Sequence, residues 1–285
     1  MSKKEQFSIR QMTKEEMELI AMEWAADEGW NPGLYDAECF AAPDAIGFLL
    51  GLLDGRPIAC ISAVAYNRHF GFLGFYIVHP EFRGQGYGLK LWQAAMGYLE
   101  DHNVGLDGVV DQQTNYRKSG FTFAYRNIRY EGIAQATAIQ FPEIVPLTQV
   151  SFSELSSYDE KLFPAPRPQF LRCWINQPES RALAALSNGK LAGYSLIRKC
   201  RKGYKIGPLF ADTEDLAKKL FLTCSGSVER GAKIYLDTPE VNRAAVTLAE
   251  SQGMQTVFET ARMYTQSPPD IDLSKVYGVT TFELG

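Results

Sequence analysis

The strongest constraint on this chain is that it runs through one plan twice. The segment 47-GFLLGLLDGRPIACISA-63 has a counterpart in 181-RALAALSNGKLAGYSLI-197. Each is an apolar run, a two-residue turn (Asp54-Gly55, Asn188-Gly189) and a second apolar run, the pattern of a tight β-hairpin. Further along, 72-FLGFYIVHP-80 matches 205-KIGPLFADT-213, and 114-TNYRKSGFTFAYRNIRYEG-132 matches 247-TLAESQGMQTVFETARMYT-265. The last pair reads as a short amphipathic helix, a glycine stop and a long alternating strand. The displacements are 134, 133 and 133 residues. One displacement kept over three separate segments predicts two units of the same topology. Each unit reads helical segment, hairpin, strand, helix, strand, helix, strand, which predicts a mixed α/β sheet with helices on its faces. Two prolines interrupt the periodicity in 133-IAQATAIQFPEIVPLTQ-149, so domains are expected over 1–138 and 139–285.

The two units part company at one junction. In the first, a strand-like run passes into 79-HPEFRGQGYGLKLW-92, where Arg83 is followed by Gly84, Gly86 and Gly88. Glycine at such a junction costs conformational entropy, so something there needs bare backbone. The first N–H groups of a helix have no partner inside the helix, and with the helix dipole they attract a phosphate or pyrophosphate. Side chains would hold the anion off; glycine admits it, and Arg83 can add a charge-assisted bond. Behind the loop, Leu91, Trp92, Ala95, Met96 and Leu99 share one helical face. The spacing fits neither a P-loop nor the dinucleotide fingerprint. The second unit has 212-DTEDLAKKLF-221 at this place, acidic and without glycine, so one anion site per chain is expected.

Composition narrows the remaining classes. A net charge of −4 argues against a nucleic-acid footprint. The longest apolar run, 45-AIGFLLGLL-53, is far too short for a bilayer, and MSKKEQFSIR lacks the apolar stretch of a signal peptide. Five cysteines without CxxC spacing read as idle or buried thiols in a reducing, cytoplasmic setting. The three histidines have no metal-ligand spacing, so no metal is expected.

The run 78-VHPEFRGQGYG-88 resembles the V-x-P-x-x-R-x-x-G-x-G segment of the GNAT (Gcn5-related) N-acetyltransferases, and 115-NYRKSGF-121 resembles that family's N…Y-x-K-x-G-F segment. The resemblance covers residues 8 to 131. The second half, with 163-FPAPRPQFLRCW-174 and the tail 277-YGVTTFELG-285, looks like the type-18 acetyltransferase domain of tandem GNAT proteins. It implies two tandem acyl-CoA N-acyltransferase folds, one of them degenerate, and direct attack of an amine on the thioester of acetyl-CoA. The loop Arg83, Gly84, Gln85, Gly86, Tyr87 and Gly88 would take the pyrophosphate. A backbone N–H of Tyr76, Ile77 or Val78 would meet the thioester oxygen, with Gly74 in a bulge-like role. Gln112, Gln113 or Asn115 would contact the pantetheine.

By the same resemblance Tyr116 is the general acid for the thiolate; its counterpart in the second unit is Ala249. The general base stays open between Glu23, Glu28 and Asp36, which lie among Trp24, Trp30 and Tyr35 in the acceptor-site region. Arg167 and Arg172 are candidates for an anionic substrate group, or ordinary surface charges. The acceptor implied is a small-molecule amine, and a homodimer is an allowed assembly. The alternative class is a non-catalytic acyl-CoA-binding or regulatory protein. The apolar tail is expected to lie against the protein.

Overall fold

The computed structural model of the chain describes residues 6–135 and 139–285. The boundary expected between 138 and 139 therefore touches residues outside the description. The first unit begins with β1 (Phe7–Gln11), then α1 (Lys14–Glu16), a π-helical stretch (Met17–Met22), α2 (Glu23–Asp27) and α3 (Asp36–Ala41). Thr13 starts this helical run with a capping box, its hydroxyl accepting from the Glu16 amide while the Glu16 carboxylate accepts from the Thr13 amide. The unit continues through β2 (Phe48–Leu53), β3 (Arg56–Ala65), β4 (Phe70–Val78), α4 (Tyr87–Tyr98), β5 (Asn103–Val109), α5 (Gln113–Lys118) and β6 (Thr122–Ile133).

The second unit repeats the plan. It has β7 (Ile144–Pro146), α6 (Phe152–Asp159), α7 (Pro168–Trp174), β8 (Ser180–Ser187), β9 (Lys190–Lys199), β10 (Tyr204–Ala211) and α8 (Glu214–Ser225). Then come β11 (Lys233–Pro239), α9 (Arg243–Ser251), β12 (Gln255–Tyr264) and a short last strand, β13 (Val276–Gly278). Both hairpin turns are as the sequence requires: Asp54 and Gly55 sit at φ 49° and 84°, Asn188 and Gly189 at 51° and 75°.

The two units share a single sheet, because each gives its last long strand to the other. The order is β1-β2-β3-β4-β5-β12-β6-β11-β10-β9-β8-β7. β12 of the second unit pairs with β5 of the first, and β6 of the first pairs with β11 of the second. Two reciprocal ion pairs lie across these seams. Arg262 on β12 grips Asp107 on β5 at 2.9 and 2.6 Å, and Arg129 on β6 grips Asp237 on β11 at 2.7 Å twice. All four side chains are at most 5% exposed. Removing either charge of such a pair alone is costly, because it leaves the other buried and unpaired. A third buried pair, Asp36 with Arg198, ties α3 to β9.

The cysteine expectation needs correcting. Cys39 on α3 and Cys173 on α7 form a disulfide joining the two units, while Cys60, Cys200 and Cys224 are free and buried. The partners are 134 residues apart, the repeat displacement itself. Equivalent residues near the pseudo-twofold axis of a duplicated fold meet each other, which spacing within one unit cannot reveal. Arg167 also departs from expectation: it is fully buried, bound to Asp159 at 2.8 Å and stacked on Phe163. Arg172 lies over the Phe152 ring. Neither faces the cavity described next.

Candidate active site

β4 and β5 run in parallel register only from Phe70↔Asn103 to Leu73↔Leu106. Beyond that pair they diverge, leaving Gly74–Val78 and Asp107–Val109 on the two arms of a V. A break in β4 contributes: its register with β3 slips between Cys60 and Ser62, and Phe75 in the slipped stretch has φ 48°. The strained residue is thus Phe75, not Gly74. Gly74 has another duty, since a Cβ there would lie 2.0 Å from the Glu283 carbonyl oxygen.

The V opens into a cavity of about 600 Å³ lined by both arms, the glycine loop, α4 and the second unit. At its mouth Gly86 is the N-cap of α4 with φ 84°, and no side chain caps the helix. Gly84, at φ 74°, and Gly86 would present a Cβ to open space, so at these two positions the left-handed backbone selects glycine and the room in front is kept clear. Gly88 is different: a Cβ there would collide with the Tyr76 hydroxyl at 2.7 Å, so this glycine lets α4 lie against β4. Arg83 is already engaged, donating to the Val78 carbonyl at 2.8 Å and paired with Glu28.

Among the residues expected at the site, Glu28, Tyr76, Ile77, Val78, Arg83, Gly84, Gly86, Gly88, Asn115 and Tyr116 line the cavity; Gln85, Tyr87 and Asp36 do not. Gln85 donates to the Glu81 carbonyl at 2.9 Å, and the Tyr87 ring lies 5.1 Å from that of Phe7. Asp36 is withdrawn from any role as base, because both carboxylate oxygens bind Arg198 at 2.8 and 3.1 Å and one also accepts the Gly33 amide. Glu23 pairs with Arg201. Asn115 donates to Gln112 at 2.8 Å, so of the three amides considered these two stand together at the cavity wall.

Tyr116 reaches the cavity from α5. It stacks on Trp92 with ring centres 5.7 Å apart and lies over Gly108, where a Cβ would be 2.1 Å from its ring. Burial, with Tyr76 adding to it, pushes its phenol well above the usual tyrosine range.

The opposite wall belongs to the second unit. Phe258 and Thr260 of β12, together with Phe282 and Glu283 of the tail, complete the cavity. Arg129 stands behind them, 4.7 Å from the Phe282 ring and donating to the Trp30 carbonyl.

The second unit shows what the first keeps open. Thr213 caps α8 with its own side chain, accepting from the Leu216 amide. β10 and β11 are in register only over Tyr204–Ile206. β13 pairs with β10 at Leu209 and Phe210, and the Val279 amide donates to the Asp237 carbonyl at 2.8 Å. The equivalent cleft is filled by the chain's own end. As expected of its apolar composition, the tail is buried through residue 285.

Comparison with known proteins agrees with this geometry. Residues 8–121 match the acetyltransferase (GNAT) family model, and residues 155–278 match a further acetyltransferase (GNAT) domain model. The holothin acyltransferase of Pseudoalteromonas sp. is 32% identical over 266 residues, covering 93% of this chain and 90% of that protein. A crystal structure described as an acetyltransferase from Pyrococcus horikoshii superposes with a TM-score of 0.83 at 21% identity, covering 98% of this chain and 96% of its own. A tandem GNAT protein from the clavulanic acid biosynthesis pathway gives 0.65 at 14% identity over 92% of this chain and 100% of its own. The cleft open between β4 and β5, the bare helix start above it and these likenesses have the same meaning: the chain is a tandem member of the GNAT acyltransferase family, an enzyme whose open cleft is built by both halves.

Proposed function

We propose that the enzyme transfers an acetyl group from acetyl-CoA to the primary amine of a small molecule by direct attack. One observation carries the reading: of two equivalent clefts, the open one lies under an uncapped, glycine-bearing helix start, and the filled one under a helix capped by Thr213. The amides around Gly84–Gly88 suit a pyrophosphate, and the divergence of β4 from β5 suits an extended pantetheine arm. The free edge of β4, over Tyr76–Val78, offers a backbone N–H to the thioester oxygen.

The amine nitrogen attacks the thioester carbonyl carbon and the C–S bond breaks. An ammonium acceptor loses two protons on the way to an amide: one reaches the departing sulfur, delivered by the Tyr116 phenol, and the other leaves with solvent. The aromatic wall of Trp30, Phe258 and Phe282 suits an acceptor with a flat apolar body. The named activity of the Pseudoalteromonas relative, acylation of holothin, supports a small-molecule acceptor.

The test is calorimetric titration with acetyl-CoA. Wild-type protein is expected to bind, and Gly86→Val to bind at least about 10-fold more weakly, because its side chain enters the anion's space and the φ of 84° disfavours it. Equal affinity of the two proteins would refute the cradle.

A further inference from the structure

Three carboxylates line the cavity, and two of them are committed. Glu28 is paired with Arg83. Asp107 is held by Arg262 and accepts from Asn127 at 2.8 Å. The third, Glu283, comes from the tail of the second unit and is 4% exposed. Among the described residues its carboxylate takes part in no ion pair or hydrogen bond. The position is well determined all the same: the Glu283 carbonyl stands against Gly74, the Leu284 carbonyl accepts from the Tyr66 hydroxyl at 2.8 Å, and the Leu284 amide donates to Thr281.

The charges around Glu283 explain why an unpaired acid is tolerated there. Arg129, Arg198 and Lys205 all lie within its electrostatic reach. Arg129 is bound by Asp237 and Arg198 by Asp36, while the Lys205 ammonium is buried with no hydrogen-bond partner. Three cations thus face three acids, and Glu283 balances the count at a distance, without the contact that would cover its oxygens.

We propose that Glu283 is a catalytic residue: its carboxylate receives the ammonium of the acceptor inside the cavity and takes its first proton. This rests on the acetyltransferase reading above and narrows the acceptor to a cationic amine on a flat apolar body, seated against Trp30, Phe258 and Phe282. The proton moves from the acceptor nitrogen to a Glu283 oxygen, which frees the lone pair that forms the new C–N bond. After the adduct collapses, Glu283 returns the proton to solvent. No further reactant is required.

The test uses full-length protein, acetyl-CoA, and benzylamine, 2-phenylethylamine and tryptamine as probes. Thiol release is followed for wild type, Glu283→Gln and Glu283→Asp, with acetyl-CoA affinity and thermal midpoint measured for each. Glu283→Gln is expected to lower kcat/KM for the amine about 10- to 100-fold, the loss of one charge-assisted hydrogen bond, while acetyl-CoA affinity is kept. Glu283→Asp, which keeps the charge, is expected to recover part of the loss. A purely structural role would instead move the midpoint and the acetyl-CoA affinity together with the rate and give the aspartate no advantage. The proposal is overturned if Glu283→Gln turns over as wild type, or if wild type binds acetyl-CoA yet acetylates none of the three amines. Failure of wild type to bind acetyl-CoA refutes the earlier reading instead.

Discussion

Replacing Arg262 by methionine leaves the Asp107 carboxylate, 0% exposed as a side chain, without its counter-charge at the seam between β5 and β12. Breaking a buried pair from one side costs about 3–5 kcal/mol, a large part of the ~5–15 kcal/mol that stabilises a typical domain. A control lies on the neighbouring seam. Arg126 on β6 pairs with Glu259 on β12 at 3.3 Å, but those side chains are 47% and 38% exposed, and loss of such a pair costs about 0–1 kcal/mol. Urea unfolding followed by far-UV circular dichroism reads both variants. Arg262→Met is expected to lower the midpoint strongly, Arg126→Met barely, and wild type to unfold in one transition, since the units share a sheet. Removing both charges, in Asp107→Leu/Arg262→Met, is expected to be milder than Arg262→Met alone, because no unpaired charge is then buried. The argument fails if Arg262→Met costs no more than Arg126→Met, or if the double variant is as unstable as the two single losses added.

Tyr116→Phe is expected to lower kcat about 100-fold or more with acetyl-CoA affinity little changed. Burial holds the folded-state ionisation of this phenol above its unfolded value of ~10. Its neutral form is therefore complete below pH ~10, and the stability tied to that form is lost progressively as pH rises from ~10 through the higher folded value. No alkaline fall in kcat below pH ~10 should trace to Tyr116; equal kcat of variant and wild type at every pH would remove its role as acid. Cys39→Ser is expected to lower stability by about 2–5 kcal/mol and to make the urea midpoint indifferent to reductant. A non-reducing peptide map that lacks the Cys39–Cys173 linkage would defeat this.

Much of the site was legible because its signals are local. Gly84 and Gly86 are glycines since the backbone there is left-handed and the space in front is kept clear, and both facts are written into adjacent residues. Tyr116 was singled out by the resemblance of 115-NYRKSGF-121 to a family segment, and the two hairpins by their turns. Asp36 misled for the same reason: beside three aromatic residues it reads as a site acid, and only Arg198, 162 positions away, shows that it is structural. One signal was present but unused. Asp107 and Asp237, like Arg129 and Arg262, recur in the repeat, which hinted at reciprocal pairs across the halves.

By itself, then, the sequence determined the duplication, the elements within each unit and the glycine-bearing start of α4. These depend on periodicity, turn chemistry and the conformational freedom of glycine, which act over a few residues. Only the tertiary structure decided the exchange of β6 and β12, the filling of the second cleft by β13, the link from Cys39 to Cys173 and the arrival of Glu283 beside Gly74. Alternation along a strand says which face is buried but not which strand lies alongside. That choice is made by contacts between residues far apart in the chain.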